Sequence, residues 1–393
     1  MHILFINYNF PGQGGVETAT ATLANAFQRS GKIVSIIKFR NTENGDNSKI
    51  DPSVKVDQFP DTQKLDSQIN LVFLQNYICE GEVDLIINQE IYSDMYLLLQ
   101  RVNNRPKRGI ITVEHNAPDA KIEILKNYLN NEKRGNSFKG YIKPIFHPYL
   151  LYRATQHEKK RHKILYEISS KYVLLSKKYV GKFEFLVSDV NLTKLCFIPN
   201  PTNFDLLKAE GGISKKKKTI IFVGRLDNPQ KGIDRLLKIW EAVFFEHPSW
   251  ELLVIGDGPD RKMLEEYVSA KGIQRVNFLG HQSSVLTFYR NASIICLTST
   301  VEGFPMVLIE AMAHGVVPVV YESFKAASDI IENNISGFTI EAFNEDYYIS
   351  KLKLLMSNAE MLHQMSANAK SHSDRFNISR TLERWGQMLG QSI

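Results

Sequence analysis

The chain has 393 residues, of which 43% are hydrophobic and 23% charged, so we expect two or three globular domains. Its formal net charge of +6 suits anionic ligands or a membrane surface without singling out either. Three widely spaced cysteines, in no zinc-like pattern with histidine, indicate free thiols in a reducing compartment. Because no stretch resembles a secretion signal or a membrane span, we expect a cytoplasmic protein.

The first half of the chain predicts alternating strands and helices. An apolar strand at 2–7 leads into a loop with Gly14 and Gly15, and a helix follows at 16–30. Further strands are predicted at 33–39, 83–88, 109–113 and 171–175, and long helices at 121–130 and 148–168. A strand, a glycine loop, a helix and a second strand in this order are typical of a parallel, doubly wound sheet.

The pattern starts again after a stretch rich in asparagine and proline at 198–201. We therefore place an N-terminal domain at 1–201, a linker at 202–218 that ends in the solvated lysine run 215–218, and a C-terminal domain at 219–374. Strands are predicted there at 219–223, 251–255, 276–279, 293–297 and 316–320, with helices at 232–245, 260–271, 283–289 and 306–313 and a helical tail from about 346. This alternation predicts a second parallel sheet covered by helices.

The most informative stretch is 299–314, STVEGFPMVLIEAMAH. It follows the predicted strand at 293–297, turns at Pro305 and continues as a run of good helix formers. The carboxylates of Glu302 and Glu310 flank the start of this helix, where backbone N–H groups attract anions. Two acids repel a bare phosphate but accept hydrogen bonds from hydroxyls, so the stretch indicates a site for a sugar attached to a phosphate.

Other candidate side chains follow the predicted strands at their carboxyl ends, where α/β proteins bind ligands. They are Gly14, Gly15, Glu114, His115, Asn116, Arg225, Lys231 and Asp257. For Asp257 we favour a structural role, either fixing its own turn or capping the helix that follows. Glu114 and Asn116 are weaker candidates than His115 for a role in the site.

Several motifs together resemble those of glycosyltransferase family 4, whose members are retaining GT-B enzymes. The stretch 299–314 is similar to the E-x7-E motif of the family, and FVGRLDNPQKG at 222–232 to its GRL…KG loop. The segment 14–17 resembles the N-terminal glycine loop, 256–259 the mid-domain turn, and 277–280 the segment that lines the nucleobase slot. The matching motifs occur in the family's order and cover nearly the whole chain.

This resemblance implies the GT-B fold, with two Rossmann-like α/β domains facing across a cleft. The N-terminal domain would bind the acceptor, and the C-terminal domain would bind the nucleotide-sugar donor. A C-terminal helix at about 375–393 would return to the N-terminal domain.

The resemblance also implies roles for single residues. Arg225 and Lys231 would hold the donor diphosphate, since fixed cations offset the charge of a leaving nucleoside diphosphate. Glu310 would bind the ribose hydroxyls, and Glu302 the hydroxyls of the donor sugar. His115 would lie over that sugar near the reacting carbon. The implied catalytic set is His115, Glu302, Arg225 and Lys231. The resemblance also implies front-face substitution, in which the leaving phosphate helps to deprotonate the acceptor and no protein nucleophile is needed.

Backbone and apolar groups complete the implied donor site. Gly14 and Gly15 would let the backbone approach the diphosphate. The remaining donor-binding residues are Phe278, Leu279, Gly303, Phe304, Met306 and Val307. The sequence has no Asp-x-Asp metal motif, so we expect neither a metal nor another cofactor, and Arg225 and Lys231 would take the place of the metal.

We predict a retaining, metal-independent hexosyltransferase that uses a nucleotide sugar, with a UDP-sugar favoured. The acceptor would be a hydroxyl of a glycan or of a lipid-linked glycan, in surface polysaccharide biosynthesis, and no nucleic acid is involved. One alternative is a GT-B-fold sugar-nucleotide epimerase, for which the first domain shows no clear acid–base pair. The other is a non-catalytic nucleotide-sugar-binding protein, against which the complete set of polar residues counts.

The basic run at 157–163, HEKKRHK, follows an aromatic and apolar segment at 141–152. A basic face beside apolar residues can lie on anionic lipid. Such contact would place the protein at the inner face of the cell membrane and favour a lipid-linked acceptor. A solvated helix face is the alternative interpretation.

Overall fold

A computed structural model describes residues 1–12, 14–42, 49–132, 139–202 and 216–390, and the side chains of 130–132 and 139–145 are not part of that description. The chain divides into two compact units. The first contains Met1–Ile122, Gly135–Thr202 and Ile378–Ile393, and the second contains Glu123–Arg134 and Asn203–Asn377. Most of the predicted linker, 203–215, lies outside the described residues.

The first unit is built on a seven-stranded parallel sheet with strand order β3-β2-β1-β4-β5-β6-β7. Its strands are β1 His2–Asn9, β2 Ile33–Arg40, β3 Lys55–Gln58, β4 Leu85–Asn88, β5 Ile110–Glu114, β6 Lys171–Leu174 and β7 Leu195–Phe197. The central strands are mostly apolar because helices cover both faces of a parallel sheet. The edge strands β3 and β7 are short and were not among the predicted elements.

Helices surround this sheet: α1 Gly15–Arg29, α2 Gln68–Glu80, α3 Met95–Gln100, α5 Lys139–Ile168 and α6 Val180–Leu186. Helix α4, Ala120–Glu132, begins in this unit, but its residues from Glu123 onward are assigned to the second unit. The C-terminal helix Ile378–Leu389 also belongs to this unit. Its Trp385 packs edge-on against Phe27 of α1, with ring centroids 5.8 Å apart. The C-terminal helix therefore returns to the unit formed by the first half of the chain.

The second unit has a six-stranded parallel sheet with strand order β10-β9-β8-β11-β12-β13. Its strands are β8 Thr219–Val223, β9 Glu251–Ile255, β10 Val276–Gly280, β11 Ile294–Leu297, β12 Val317–Tyr321 and β13 Phe338–Ile340. Its helices are α7 Asn228–Lys231, α8 Ile233–Val243, α9 Arg261–Lys271, α10 Leu286–Asn291, α11 Met306–Ala313, α12 Ala327–Ile330, α13 Glu345–Ser357 and α14 Ala359–Ser373. The prediction of two Rossmann-like α/β domains is confirmed.

The strand order of each sheet determines where loops meet. In the second unit the chain runs outward from β8 to β10 and then returns to place β11 beside β8. In the first unit, β1 likewise separates β2 from β4. Ligands of open α/β sheets bind where the strand order reverses in this way. A ligand is therefore expected at the loops that follow β8 and β11, or at those that follow β1 and β4.

Other features of the described residues complete the fold. The three cysteines are free thiols, with Cys79 exposed, Cys196 half-buried and Cys296 buried. Within the described parts of the chain, no helix combines the length and the apolar character that crossing a bilayer requires.

Candidate functional site

Backbone contacts join the loops that follow β8 and β11. Thr300 N donates to the carbonyl of Gln230 at 2.7 Å, and Thr298 Oγ1 donates to the carbonyl of Gly232 at 2.7 Å. Gly232 has a φ of 60°, and a Cβ there would lie 2.5 Å from the carbonyl oxygen of Thr298. Glycine is therefore needed for α7 to end against the carboxyl end of β11.

This junction places two predicted site residues in direct contact. Lys231 is the last residue of α7, and its Nζ lies 2.7 Å from Glu302 Oε1 in the loop after β11. Ser299 Oγ donates to the same carboxylate oxygen at 2.7 Å. The side chains of Lys231 and Glu302 are 21% and 7% exposed. The pair is thus largely shielded, with the lysine side chain more exposed than the carboxylate.

Arg225 lies in a loop fixed by its backbone. Gly224 N donates to the carbonyl of Ile255 at 3.0 Å, and Leu226 N donates to the carbonyl of Asp257 at 2.9 Å. The side chain of Arg225 is exposed. Among the described residues, its guanidinium forms no hydrogen bond or ion pair, so the cation is available to a ligand.

The neighbouring turn after β9 depends on Gly256 and Asp257. Gly256 has a φ of 134°, and a Cβ there would lie 1.9 Å from the carbonyl oxygen of Gly224. Asp257 accepts a hydrogen bond from Gly258 N at 2.8 Å and pairs with Arg261 at 2.9 Å. These two contacts hold the pKa of Asp257 below its usual value. Asp257 therefore fixes its own turn, the role that we favoured from the sequence.

Glu310 lies half-buried on α11 and has a partner that was not predicted. Tyr289 Oη donates to Glu310 Oε2 at 3.0 Å, and the tyrosine is only 1% exposed. Burial first, and then the nearby Glu310 carboxylate, raise the pKa of Tyr289 well above its usual value. The tyrosine therefore remains a hydrogen-bond donor at neutral pH.

The other predicted donor-site residues of this unit contribute backbone or apolar surface. Helix α11 begins at Met306, directly after Pro305. Phe304 is buried and packs edge-on against Phe376, with centroids 5.5 Å apart. The residues predicted to contact the donor through backbone or apolar groups are the buried Gly303, Phe304 and Met306 and the half-buried Val307, Phe278 and Leu279. Contact of these residues with a donor stays a prediction.

The glycine loop lies at the start of α1 in the first unit. Gly14 and Gly15 are exposed, and Gly14 occupies the N-cap position in an extended conformation. A Cβ on Gly14 would lie 2.3 Å from Glu17 Oε2. The carboxylate of Glu17 therefore folds over the loop, and burial raises its pKa.

His115 follows β5 and is 8% exposed. Its Nε2 donates a hydrogen bond to Gln89 Oε1. It lines a small cavity of the first unit together with Asn200 and Trp385. Burial lowers the pKa of His115 to about 4, so the imidazole is neutral at physiological pH. Such a group offers hydrogen bonds to a ligand but no positive charge.

The basic run 157–163 is not a uniformly solvated face, which corrects that interpretation. Glu158, Arg161 and His162 are buried, because they lie on the same face of α5 as the buried Leu165. Arg161 is 0% exposed, hydrogen-bonds with Glu158, and lies 5.0 Å from the ring centroid of Tyr92.

These residues belong to a buried polar network around Glu114. Tyr172 Oη donates to Glu114 Oε2 at 2.7 Å, and His162 Nε2 lies 3.1 Å from the same oxygen. Among the described residues, Glu114 Oε1, Arg161 Nε and Nη1 and Tyr92 Oη lack hydrogen-bond partners. Unpaired buried polar atoms are rare, and ordered water usually satisfies them. The carboxyl end of the first sheet therefore contains a buried polar cluster that the sequence motifs did not reveal.

No group of three or more His, Cys, Asp and Glu side chains that could hold a metal ion is found within the described residues. The nearby cations of the second unit, Arg225 and Lys231, suit an anionic ligand. The carboxylates of Glu302 and Glu310 suit hydroxyl groups.

Solved structures resemble the chain over nearly its whole length. The apo form of the lipopolysaccharide outer core galactosyltransferase WaaB has a TM-score of 0.70 and 20% identity, covering 99% of both chains. Anabaena Alr3699/HepE in complex with UDP-glucose has a TM-score of 0.74 and 16% identity, also covering 99% of both chains. At these identities the likeness shows the fold, which is GT-B.

Sequence comparisons agree with the fold. Residues 203–372 match the family model "Glycosyl transferases group 1". A Haemophilus influenzae protein described as "Uncharacterized glycosyltransferase" is 34% identical over 175 residues, 44% of this chain, and the matched region spans about half of that relative, 49%.

A second relative matches almost end to end. It is the Campylobacter jejuni GalNAc-alpha-(1->4)-GalNAc-alpha-(1->3)-diNAcBac-PP-undecaprenol alpha-1,4-N-acetyl-D-galactosaminyltransferase, 26% identical over 385 residues, 96% of this chain and 95% of the relative. Together, the family match, the relatives and the fold support a GT-B glycosyltransferase.

Proposed function

We propose that this chain is a retaining, metal-independent hexosyltransferase that uses a UDP-sugar. The acceptor is a hydroxyl of a glycan or lipid-linked glycan in surface polysaccharide assembly. The observation that carries the proposal is the contact of Lys231 and Ser299 with Glu302, together with the exposed cation of Arg225 in the loop that precedes α7. This arrangement supplies cations for a diphosphate next to a carboxylate for sugar hydroxyls, on neighbouring loops of one sheet.

In the proposed reaction, the acceptor oxygen bonds to the anomeric carbon while the bond from that carbon to the diphosphate oxygen breaks. The acceptor proton passes to the departing phosphate on the same face, so the configuration is retained. Arg225 and Lys231 stabilise the charge that develops on the nucleoside diphosphate, which is the task a metal performs elsewhere. Glu302 orients the sugar through its hydroxyls, and neutral His115 serves as a polar contact for substrate.

Lys231 has two competing partners in this scheme. Before the donor binds, its ammonium group is held by Glu302 at 2.7 Å. A diphosphate carries more charge than one carboxylate and attracts the same ammonium group. Donor binding then turns the carboxylate of Glu302 toward the sugar hydroxyls. The pair thus keeps both groups in place for the donor.

The choice of donor and acceptor draws on similar proteins. Anabaena Alr3699/HepE forms a complex with UDP-glucose, and the name of the Campylobacter jejuni relative specifies an undecaprenol-linked acceptor. UDP-glucose and the undecaprenol-linked acceptor are ligands of those two proteins. For this chain, the UDP-sugar and the lipid-linked acceptor are parts of the proposal.

Thermal unfolding with and without nucleotides tests the donor site. A ligand at about 100 times its Kd stabilises the folded state by roughly 2.7 kcal/mol, so UDP should raise Tm measurably. Arg225→Ala and Lys231→Ala should each weaken UDP binding roughly 10- to 100-fold, because each removes a charged hydrogen-bond donor. Lys262→Ala is the matched control, since this lysine is 89% exposed on α9. If no nucleotide or nucleotide sugar raises Tm, the proposed function is wrong.

We also propose that α5 contacts an anionic membrane. Phe146, Tyr149 and Leu150 lie at i, i+3 and i+4 on this helix and are 56%, 57% and 44% exposed. Arg153 and the exposed Lys160 continue along the helix. Aromatic side chains next to basic ones are typical of surfaces that insert shallowly into anionic lipid.

Flotation with vesicles of phosphatidylglycerol and phosphatidylcholine tests this contact. The chain should float with mixed vesicles but not with pure phosphatidylcholine. The double variant Phe146→Ser, Tyr149→Ser should remain in the dense fraction, whereas Phe245→Ser, which changes an 87% exposed aromatic of the second unit, should float normally. If the parent chain does not float, there is no such contact.

A further inference from the structure

Tyr289 contacts the carboxylate proposed to bind ribose. It lies on α10 at 1% exposure, and its hydroxyl donates to Glu310 Oε2 at 3.0 Å. Phenylalanine would fill the same apolar space, so the hydroxyl is the feature to explain. A buried phenol requires a polar partner, and here that partner is a residue of the candidate donor site.

Two further contacts hold this tyrosine in place, and a third joins its stacking partner to Glu310. Its ring stacks on His314, with centroids 5.9 Å apart and planes 27° from parallel. His314 Nδ1 donates to the carbonyl of Glu310 at 2.8 Å, so both aromatic residues contact the same glutamate. Lys216 Nζ donates to the carbonyl of Tyr289 at 2.8 Å. The hydroxyl is therefore fixed relative to α11 before a ligand is present.

We infer that Tyr289 is a positioning residue for ribose recognition, which it controls by holding the Glu310 carboxylate in one orientation. The inference rests on the proposed function, in which Glu310 binds the ribose hydroxyls. A glutamate side chain has several rotamers, and only some of them present the carboxylate to the ribose. The hydrogen bond from Tyr289 restricts the carboxylate to one rotamer.

Nucleotides with and without ribose hydroxyls test the inference in Tyr289→Phe. The parent chain should bind UDP more tightly than 2′,3′-dideoxyuridine diphosphate. In Tyr289→Phe, UDP should bind about tenfold more weakly, the loss expected for a hydrogen bond to a charged group. The dideoxy nucleotide should bind the variant and the parent equally, within a factor of about two. Isothermal titration calorimetry measures both Kd values.

Tyr267→Phe is a matched control. Tyr267 Oη donates to Glu241 Oε2 at 2.8 Å, another tyrosine–glutamate pair in the same unit. This variant should bind both nucleotides like the parent. Glu310→Gln should also lose the preference for UDP, and adding Tyr289→Phe to it should reduce UDP binding no further.

The outcomes separate the inference from the proposed function. If Tyr289→Phe weakens the binding of both nucleotides by the same factor, or of neither, the tyrosine does not position Glu310. The inference is then wrong, while the proposed donor site is unaffected. If the parent chain binds neither UDP nor its dideoxy form, the proposed UDP site is wrong and the inference is overturned with it.

Discussion

The carboxyl ends of the two sheets hold charged side chains in opposite ways. In the second unit, Lys231 at the end of α7 and Glu302 in the loop after β11 contact each other at 2.7 Å, and the lysine side chain is 21% exposed. In the first unit, Glu114 and Arg161 are fully buried, and several of their polar atoms lack partners among the described residues. The Lys231–Glu302 pair allows a ligand to replace one partner, whereas the network of Glu114 and Arg161 depends on contacts that persist in the folded state.

The loss of stability when one partner is removed depends on how deeply the arrangement is buried. Removing one member of a buried ion pair leaves a charge without a partner in a medium of low dielectric constant, which is strongly destabilising. The Lys231–Glu302 pair should lose less on removal of the carboxylate, because the lysine side chain is 21% exposed and water can solvate it. We therefore expect substitutions in the Glu114–Arg161 network to affect folding, and substitutions in the Lys231–Glu302 pair to affect turnover.

The largest effect should come from Arg161→Ala. It leaves the carboxylate of Glu158, and Glu114 nearby, without the buried cation, so we expect the free energy of unfolding to fall by about 3–5 kcal/mol. Urea denaturation measures the change. Lys163→Ala, two residues along α5 and 62% exposed, should change it by less than about 0.5 kcal/mol. Equal stability of Arg161→Ala and the parent would show that the buried network is not needed for folding.

Glu302→Ala should act on turnover instead. Removing a group that interacts with the reacting sugar should lower kcat/KM by about 10²–10³-fold. UDP should bind as tightly as before or more tightly, because Lys231 loses its competing carboxylate. Release of UDP from the donor and calorimetry of UDP binding measure the two quantities, with the exposed Glu246→Ala as control. Equal losses in turnover and UDP affinity would contradict the role assigned to Glu302.

Burial of His115 should make the stability of the folded chain depend on pH. Its pKa in the folded chain, about 4, lies below the ordinary value of 6.5, so between these values the unfolded chain binds more protons than the folded one. The contribution of His115 to stability therefore decreases as the pH falls through this window, by at most about 3 kcal/mol. In urea denaturation, the free energy of unfolding of His115→Gln should decrease less between pH 7 and pH 4.5 than that of the parent.

The exposed His363→Gln should leave the pH dependence as it is in the parent. If His115→Gln and the parent lose the same stability on acidification, the imidazole is not kept neutral by burial.

The same difference between the two regions explains what the sequence could predict. Lys231 and Glu302 are 71 residues apart, yet each lies in a local strand–loop–helix motif, and the reversal of strand order brings the two loops together. The contact of Tyr172 with Glu114, 58 residues away, depends instead on side-chain packing that no motif records. Tyr289 was missed for the same reason.

The run at 157–163 shows what the residue spacing could have revealed. Glu158, Arg161 and His162, followed by the buried Leu165, repeat at i, i+3, i+4 and i+7, which is the spacing of a buried helix face. The high charge of the segment favoured a solvated or lipid-facing interpretation. The structure shows that this spacing, and not the charge, distinguishes the residues that face the core.

Ser299→Ala should have the smallest effect and the sharpest interpretation. Ser299 is buried, and its hydroxyl shares Glu302 Oε1 with Lys231. Without it, the carboxylate keeps its ion pair but loses one hydrogen bond of about 1 kcal/mol, so we expect turnover to fall three- to tenfold at unchanged UDP affinity. Ser299→Thr restores the hydroxyl and should recover most of the activity. If alanine and threonine behave alike, the packing around Glu302 orients it, and the hydroxyl contributes nothing to the difference between the two sheet edges.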